Sequence, residues 1–295
     1  MHILKLAATT ALAALALATS ALSSAQPAAA ATAKNYSIFL SMPGTEVFGT
    51  LANGVFKQKS SVSTSKTWDL AAVSRTTLLL YNRTSGATQT GTFTNGVYVK
   101  KRSYTLPTGF DLATASCDTA MLYRQSDGKT ITATLSGGAL GKRHATILQS
   151  DLPLQFLAAS CDSYVGGYQK TDTLTQLEAG TLSGGLQSPT DSLAEGNQRI
   201  SLLTATASSF LVYGPDGSGG GTAAFGTLKQ GLIGSTNHLS GFSAWDKIAG
   251  TADSVLFYRS ATGLEARVTL KQGVYANKGS GTDFSAGWKV IAGGK

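Results

Sequence analysis

A chain of 295 residues that is 42% hydrophobic and 14% charged, with a net charge of +8, is too apolar to stay disordered and too polar for a membrane bundle. Its 34 glycines and 6 prolines, mixed with many Ser and Thr, point to short strands joined by frequent turns. No helical stripe of useful length follows residue 33.

The first stretch reads as an export leader. His2 and Lys5 make a short polar start, an Ala/Leu-rich run spans Leu6 to about Leu22, and Ala31-Thr32-Ala33 fits a cleavage site, with Ser23-Ser24-Ala25 as an alternative. A membrane anchor fits less well, because the apolar run is short and no basic stop-transfer cluster follows. A cleaved signal peptide over 1–33 and a secreted or periplasmic domain over 34–295 are therefore expected, with no membrane insertion.

From residue 34 onward the chain repeats at about 44 residues, which is the mark of a repeat architecture. A large apolar residue opens each unit: Trp68, Phe110, Leu154, Ile200, Trp245 and Trp288. A Leu or Phe stands three residues before a Gly in the same six units: Leu51/Gly54, Phe93/Gly96, Leu135/Gly138, Leu182/Gly185, Leu228/Gly231 and Leu270/Gly273. The opening residue follows that Leu or Phe by 17 to 19 positions throughout.

In the unit opened by Trp68, four strands are predicted: WDLAAVS, TTLLLYN, ATQTGTF and GVYVKKRSY. The second is apolar throughout, as a strand covered on both faces would be. It recurs as AMLY at 120–123, FLVY at 210–213 and VLFY at 255–258 and closes on a Tyr 13 residues after the opening residue. The unit opened by Leu154 is degenerate there, with Tyr164-Val165-Gly166-Gly167. The fourth strand, with Lys100-Lys101-Arg102, suits an exposed edge blunted by charge, and Lys142-Arg143-His144 matches it one unit later. The same charge would draw acidic cell-surface polymers. Gln187–Asn197 reads as a longer polar loop, His238 lies in a polar loop, and Gly217–Gly221 reads as a hairpin insertion.

Four sequential antiparallel strands per unit predict the blade of a β-propeller. The ends fix the number. Only the first strand of a unit follows Trp288, while Tyr36–Leu40 and Met42-Pro43-Gly44 match the missing apolar strand and turn. An all-β, six-bladed propeller of four-stranded blades is expected, its ring closed by N- and C-terminal strands sharing one blade. A solenoid would not need matched ends, and the chain is too short for seven blades.

The pattern W-x-x-I…V-L-F-Y-R…T-G…L-x-x-G-x-Y, seen best over Trp245–Tyr275, resembles two groups of secreted propellers. One is the tachylectin-2-like lectins; the other is the bacterial FG-GAP (VCBS)-type repeats, seen here in Gly287-Trp288 and Asp253–Gly263. The first resemblance implies amino-sugar binding in repeated sites. The second implies calcium in D-x-D-x-D-G loops, from which this chain departs: AGTADS, ATASCDT and AASCDS each offer one Asp, too few for the six to eight oxygens that calcium takes. No metal and no cofactor are expected. The Trp-Asp pairs at 68–69 and 245–246 open a unit, whereas a WD repeat closes a strand with them.

Cys117 and Cys161 both sit in Ala-Ser-Cys-Asp, at equivalent positions of neighbouring units. In an oxidising compartment a disulfide is expected. Two buried free thiols are the alternative, since equivalent positions need not come within bonding distance.

Chemistry is sparse. His144 and His238 have no nucleophile in a G-x-S-x-G setting. The acids fall into repeated classes, with Asp69, Asp111 and Asp246 after the opening residue and Asp118, Asp162 and Asp253 in the turn before the apolar strand. Repetition favours turn capping over a catalytic pair, which would break the symmetry. Carbohydrate binding is the sharper expectation, because sugars need aromatic faces and a few planar polar groups. The candidates are Trp68, Trp245 and Trp288, with Asp69, Asp246, Arg124 and Arg259 nearby in the repeat; packing between blades is the other reading of each Trp. The function expected is a non-catalytic, multivalent lectin for surface glycans. The alternatives are an adhesion scaffold for a cell-surface or secreted protein and, third, a hydrolase. No nucleic acid is expected.

Overall fold

Six short strands of small residues set the centre of the molecule: Leu70–Val73 (β4), Leu112–Ala115 (β8), Phe156–Ala159 (β12), Leu202–Ala205 (β16), Lys247–Gly250 (β20) and Val290–Gly293 (β24). Ala, Thr and Gly fill their second halves apart from Val73, and these small side chains let them converge on a narrow axis. Each packs beside the next, β24 against β4 and so round to β20 against β24, which closes a ring. The computed structural model describes residues 34–295 apart from positions 149, 151, 172, 173, 197 and 198. The leader expected over 1–33 lies outside the described residues.

Each inner strand begins a four-stranded antiparallel sheet. Blade 1 continues through Thr77–Tyr81 (β5), Ala87–Thr94 (β6) and Val97–Thr105 (β7). Blade 2 adds Thr119–Tyr123 (β9), Lys129–Ser136 (β10) and Ala139–Ile147 (β11). Blade 3 adds Ser163–Gln169 (β13), Leu174–Ser183 (β14) and Leu186–Gly196 (β15). Blade 4 adds Ser209–Pro215 (β17), Gly220–Lys229 (β18) and Leu232–Ser243 (β19), and blade 5 adds Ser254–Tyr258 (β21), Glu265–Lys271 (β22) and Val274–Gly281 (β23). In blade 6 the C-terminal β24 pairs with Ser37–Met42 (β1), which leads to Thr45–Ala52 (β2) and Val55–Ser63 (β3). This is the six-bladed propeller, with the shared closing blade, that the matched ends predict.

Two stretches differ from the sequence reading. Gln187–Gly196 belongs to the outer strand β15, and His238 lies in the outer strand β19. An outermost strand has one free edge, so it tolerates polar residues and even Pro189, which sits beside the register shift at Ala179/Gly180. Gly217–Gly221 does form a hairpin, with Asp216 Oδ1 accepting the amides of Ser218 and Gly220.

The repeated landmarks turn out to be seam residues. Each Leu/Phe-x-x-Gly motif ends in a two-residue hairpin whose residues both have positive φ, such as Asn95 (52°) and Gly96 (75°). That geometry favours Asn-Gly and Gly-Gly pairs and explains the fixed Gly; Gln230 and Gln272 adopt it in the other two hairpins. The six glycine amides then donate across the seam to a hydroxyl of the preceding blade. Ser37, Thr77, Thr119, Ser163, Ser209 and Ser254 accept from Gly96, Gly138, Gly185, Gly231, Gly273 and Gly54 at 2.7–2.9 Å. All six hydroxyl residues are fully buried. The Tyr that closes an apolar strand works at the opposite end of the seam. Tyr81, Tyr123, Tyr213 and Tyr258 accept the backbone N–H of the next opening residue, Phe110, Leu154, Trp245 and Trp288. In degenerate blade 3, Gln169 Oε1 takes that part for Ile200.

At the inner rim the turns of blades 1 to 5 are chained by backbone bonds. Arg75 donates to Cys117, Cys117 to Cys161, Cys161 to Ala207 and Ala207 to Ala252, at 3.0–3.2 Å. Equivalent residues are closest here, so Cys117 and Cys161 have Cα atoms 4.4 Å apart and form a disulfide. It closes a 44-residue loop and joins blades 2 and 3.

Two outcomes are expected in urea unfolding. Ser163→Ala leaves the buried Gly231 amide without its acceptor and should lower stability by about 1–3 kcal/mol. Cys117→Ser with Cys161→Ser should lower it by about 4 kcal/mol, the chain-entropy value for a loop of this length.

Candidate functional site

The axial channel is closed on one side by a side chain. Lys295 is buried among the inner strands, and its Nζ donates to the carbonyls of Ala205 and, at 2.8 Å, Gly250. Burial pushes this amine down to about 7. The remaining cavity there is about 100 Å³. At the other mouth a cavity of about 280 Å³ brings Asp69, Asp246, Gln155, Lys247 and Lys289 around an apolar wall that includes Phe156 and Ile248.

The acids at this mouth already hold backbone groups. Asp69 accepts the N–H of Arg83 at 2.7 Å, Asp111 that of Gln125 at 2.7 Å, and Asp246 that of Ser260 at 3.0 Å. The second repeated class spans the seam: Asp118, Asp162 and Asp253 accept from Gly184, Gln230 and Asn53 of the following blade. The two candidate arginines cover the opening residues. Arg124 lies over Phe110 (5.9 Å) and is paired with Asp127, and Arg259 lies over Trp245 (5.8 Å) and donates to Ala244 O.

All three tryptophans are at least nine-tenths buried, but they differ in what opens beside them. Trp245 is covered by Phe257 and Arg259. Trp68 lines a groove of about 440 Å³ with Lys66, Asn82, Gln89, Ser103 and Tyr104. Its Nε1 donates to Glu46 at 2.8 Å, and Lys66 Nζ stands 5.7 Å from the ring centre and 3.2 Å from Gln89 Oε1. Burial raises the Glu46 carboxyl, while the Trp68 bond and the nearby Lys66 charge oppose the rise. Gln89 in turn donates to Tyr98 Oη, a phenol whose pKa burial pushes up to about 12. Trp288 lines a smaller groove of about 230 Å³ with Met42, Val47, Phe56, Ser61, Asp283 and Phe284. By repeat register Met42, Val47 and Ser61 correspond to Asn82, Gln89 and Ser103. The two grooves are thus the same feature on neighbouring blades; Met42 and Val47 replace Asn82 and Gln89 in the second, which also carries Thr45, Gln58, Ser61 and Asp283.

One cluster does break the symmetry. Glu265 matches Glu46 in register, yet it does not receive Trp288. Instead Arg267 Nη2 lies 3.2 Å from Glu265 and 3.4 Å from Asp283. Trp288 Nε1 has no hydrogen-bond partner among the described residues. Burial, reinforced by Asp283 and opposed by Arg267, pushes the Glu265 carboxyl up to about 7. The sequence signal was available: among the third strands of the blades, few positions facing the seam carry an acid. Lys66, Gln89 and Ser103 carried no signal, because their meeting depends on how the linker crosses the blade.

No family model matches the chain. No curated protein matches it either. Among solved structures it is similar to the nidogen/laminin complex, with a TM-score of 0.57 at 10% identity over 87% of this chain and 97% of that one. It is also similar to the Cps50 (Swd1) β-propeller domain of Myceliophteria thermophila, with a TM-score of 0.53 at 12% identity over 88% and 91% of the chains. A third is a putative 6-phosphogluconolactonase from Bacteroides fragilis, with a TM-score of 0.50 at 8% identity over 88% and 98%. At these identities the likeness is one of fold, and the neighbours are functionally diverse.

Glu265 supplies a pH test. Its carboxyl is raised from 4.5 to about 7, so the folded state holds the proton more tightly than the unfolded state. Stability should therefore fall as pH rises from about 4.5 to about 7 and then level off with respect to this group. Glu265→Gln should flatten that segment when urea midpoints are measured across it.

Proposed function

We propose that this is an exported, non-catalytic carbohydrate-binding protein whose sugar site is the groove beside Trp68. The observation that carries the reading is the company of that Trp. An indole edge, the Lys66 amine, the Gln89 amide and the Ser103 hydroxyl converge on one cavity of about 440 Å³. Sugars need that combination of an aromatic surface and a few fixed donors and acceptors. The Trp288 groove offers the same plan with different polar groups, Gln58, Ser61 and Asp283, so a second, differently selective site supports multivalent attachment. The repeated acids favour a binding role, since each caps a backbone amide and is not presented to a substrate. The Cys117–Cys161 bridge supports an oxidising compartment, in line with the leader-like start.

A glycan array with the described domain tests this. One glycan class should bind above background. Lys66→Ala, or Ser103→Tyr to fill the groove, should each weaken that binding at least about tenfold, which corresponds to about 1.4 kcal/mol. If no glycan binds while a specific secreted protein is retained, the adhesion-scaffold reading replaces it. Unchanged binding in both variants would move the site elsewhere.

A further inference from the structure

The outermost strands divide the rim of the propeller by charge. Four consecutive blades, 5, 6, 1 and 2, present β23, β3, β7 and β11, and these strands contain Lys and Arg but no Asp or Glu. On the remaining two blades β19 has no Lys, Arg, Asp or Glu, and β15 carries Asp191 and Glu195. The arrangement is not random along the strand. Counted from the hairpin, the fifth residue is Lys278, Lys59, Lys101 and Arg143 on the four basic blades, and Thr236 and Thr190 on the others.

That fifth position lies at the seam. A Cβ placed on Gly96 or Gly138 would sit 2.7 or 2.6 Å from Cγ of Lys59 or Lys101, and one on Gly54 would meet the stem of Lys278. The stems of Lys59, Lys101 and Lys278 therefore cover the next blade's hairpin glycine while the charged head stays in water, and Arg143 shares their position in the strand. The four seam cations are exposed, and none is held in an ion pair among the described residues. Four more Lys and Arg share the same strands. The result is a curved positive stripe, one cation at the equivalent position of each of four blades, with no ion pair to these cations among the described residues.

We propose that this stripe is a second binding surface, independent of the Trp68 groove, and that its ligand is a linear acidic polysaccharide bearing carboxylate or sulfate groups. Charge complementarity calls for a polyanion. Single-stranded nucleic acid would also need exposed aromatic rings for its bases. The aromatic residues of these strands are turned inward: Tyr98 stacks on Phe48 at 5.1 Å, Tyr275 packs on Phe225 at 5.4 Å, Phe56 packs on Phe284 at 4.5 Å, and Tyr104 Oη accepts the Leu140 amide. A flat anionic bilayer would meet only part of a stripe that follows the circumference, whereas a flexible chain can follow it.

The test measures binding to heparin, alginate, neutral dextran, poly-dT and anionic phosphatidylserine vesicles at low and physiological salt. Heparin or alginate should bind, dextran should not bind through the stripe, and binding should weaken as salt rises. Lys59→Gln, Lys101→Gln and Lys278→Gln together should weaken polysaccharide binding at least about tenfold, about 1.4 kcal/mol. The charge-preserving Arg triple should keep it and so shows that the seams still pack. An equal loss of charge away from the stripe, by Lys34→Gln, Lys229→Gln and Lys289→Gln, should change it less than about threefold, or about 0.7 kcal/mol. The proposal is overturned if neither polysaccharide binds, if the two Gln triples weaken binding equally, or if poly-dT or vesicles bind more tightly. Lys66→Ala alters the groove and no residue of the four outer strands, so a failed sugar site and a failed stripe give different results.

Discussion

Everything in this molecule depends on one hydrogen bond made six times: a buried hydroxyl before each apolar strand accepts the amide of the next blade's hairpin glycine. A blade cannot bury both faces by itself, so its stability comes from its neighbours. The bond fixes how far one blade can slide along the other. It also places the preceding turn residue, so that Asp118, Asp162 and Asp253 reach the same hairpin. Because the two residues of that hairpin adopt positive φ, the amides point out toward the seam, away from the blade's own ladder. Ring closure follows from repeating one contact, with the blade built from both ends obeying it through Ser37 and Gly54.

This is why the fold was legible in the sequence. The spaced glycines, the closing tyrosines and the large opening residues recur because each one makes a contact to the neighbouring blade: the glycine contact leaves six copies and the tyrosine contact four, with Gln169 in its place in blade 3. Asp118 and its equivalents could be read as caps for the same reason. Whether Cys117 and Cys161 bond was open, since that depends on the radius of the inner rim, which strand patterning does not contain. The outer strands were the least legible. With one edge in water, β15 and β19 have no need of an alternating apolar pattern, so Gln187–Gly196 and His238 read as loop.

The candidate site was only half visible. Trp68 stood out as an aromatic, but repetition could not say which of three tryptophans has space beside it. That is decided by the linker before each blade. In front of Trp68 it supplies Lys66, which stands over the indole; in front of Trp288 it supplies Phe284, which packs on Phe56 and Tyr258. Before Trp245 the end of β19 itself supplies Phe242, which is packed against Tyr213 and Phe257. Residues that meet once leave no periodic signal.

The division between repeated and unrepeated positions then has a consequence for where function can evolve. Positions used by the seam are held to a few residue types, because a change at one disturbs two blades. Positions beside them are not. The fifth residue of each outer strand needs only a side chain long enough to cover a glycine or a hydroxyl able to reach the next turn. Lys59 and Lys101 meet the need with an aliphatic stem. Thr190 meets it by donating to Gly231 O. Both solutions are structurally adequate, yet only the first leaves a charge in water. A choice that is nearly neutral for the fold therefore decides the electrostatic character of the rim, and the same holds for Gln89 against Val47 in the two grooves. Differences between equivalent positions, more than the residues that define the repeat, are where selectivity in this ring has room to arise.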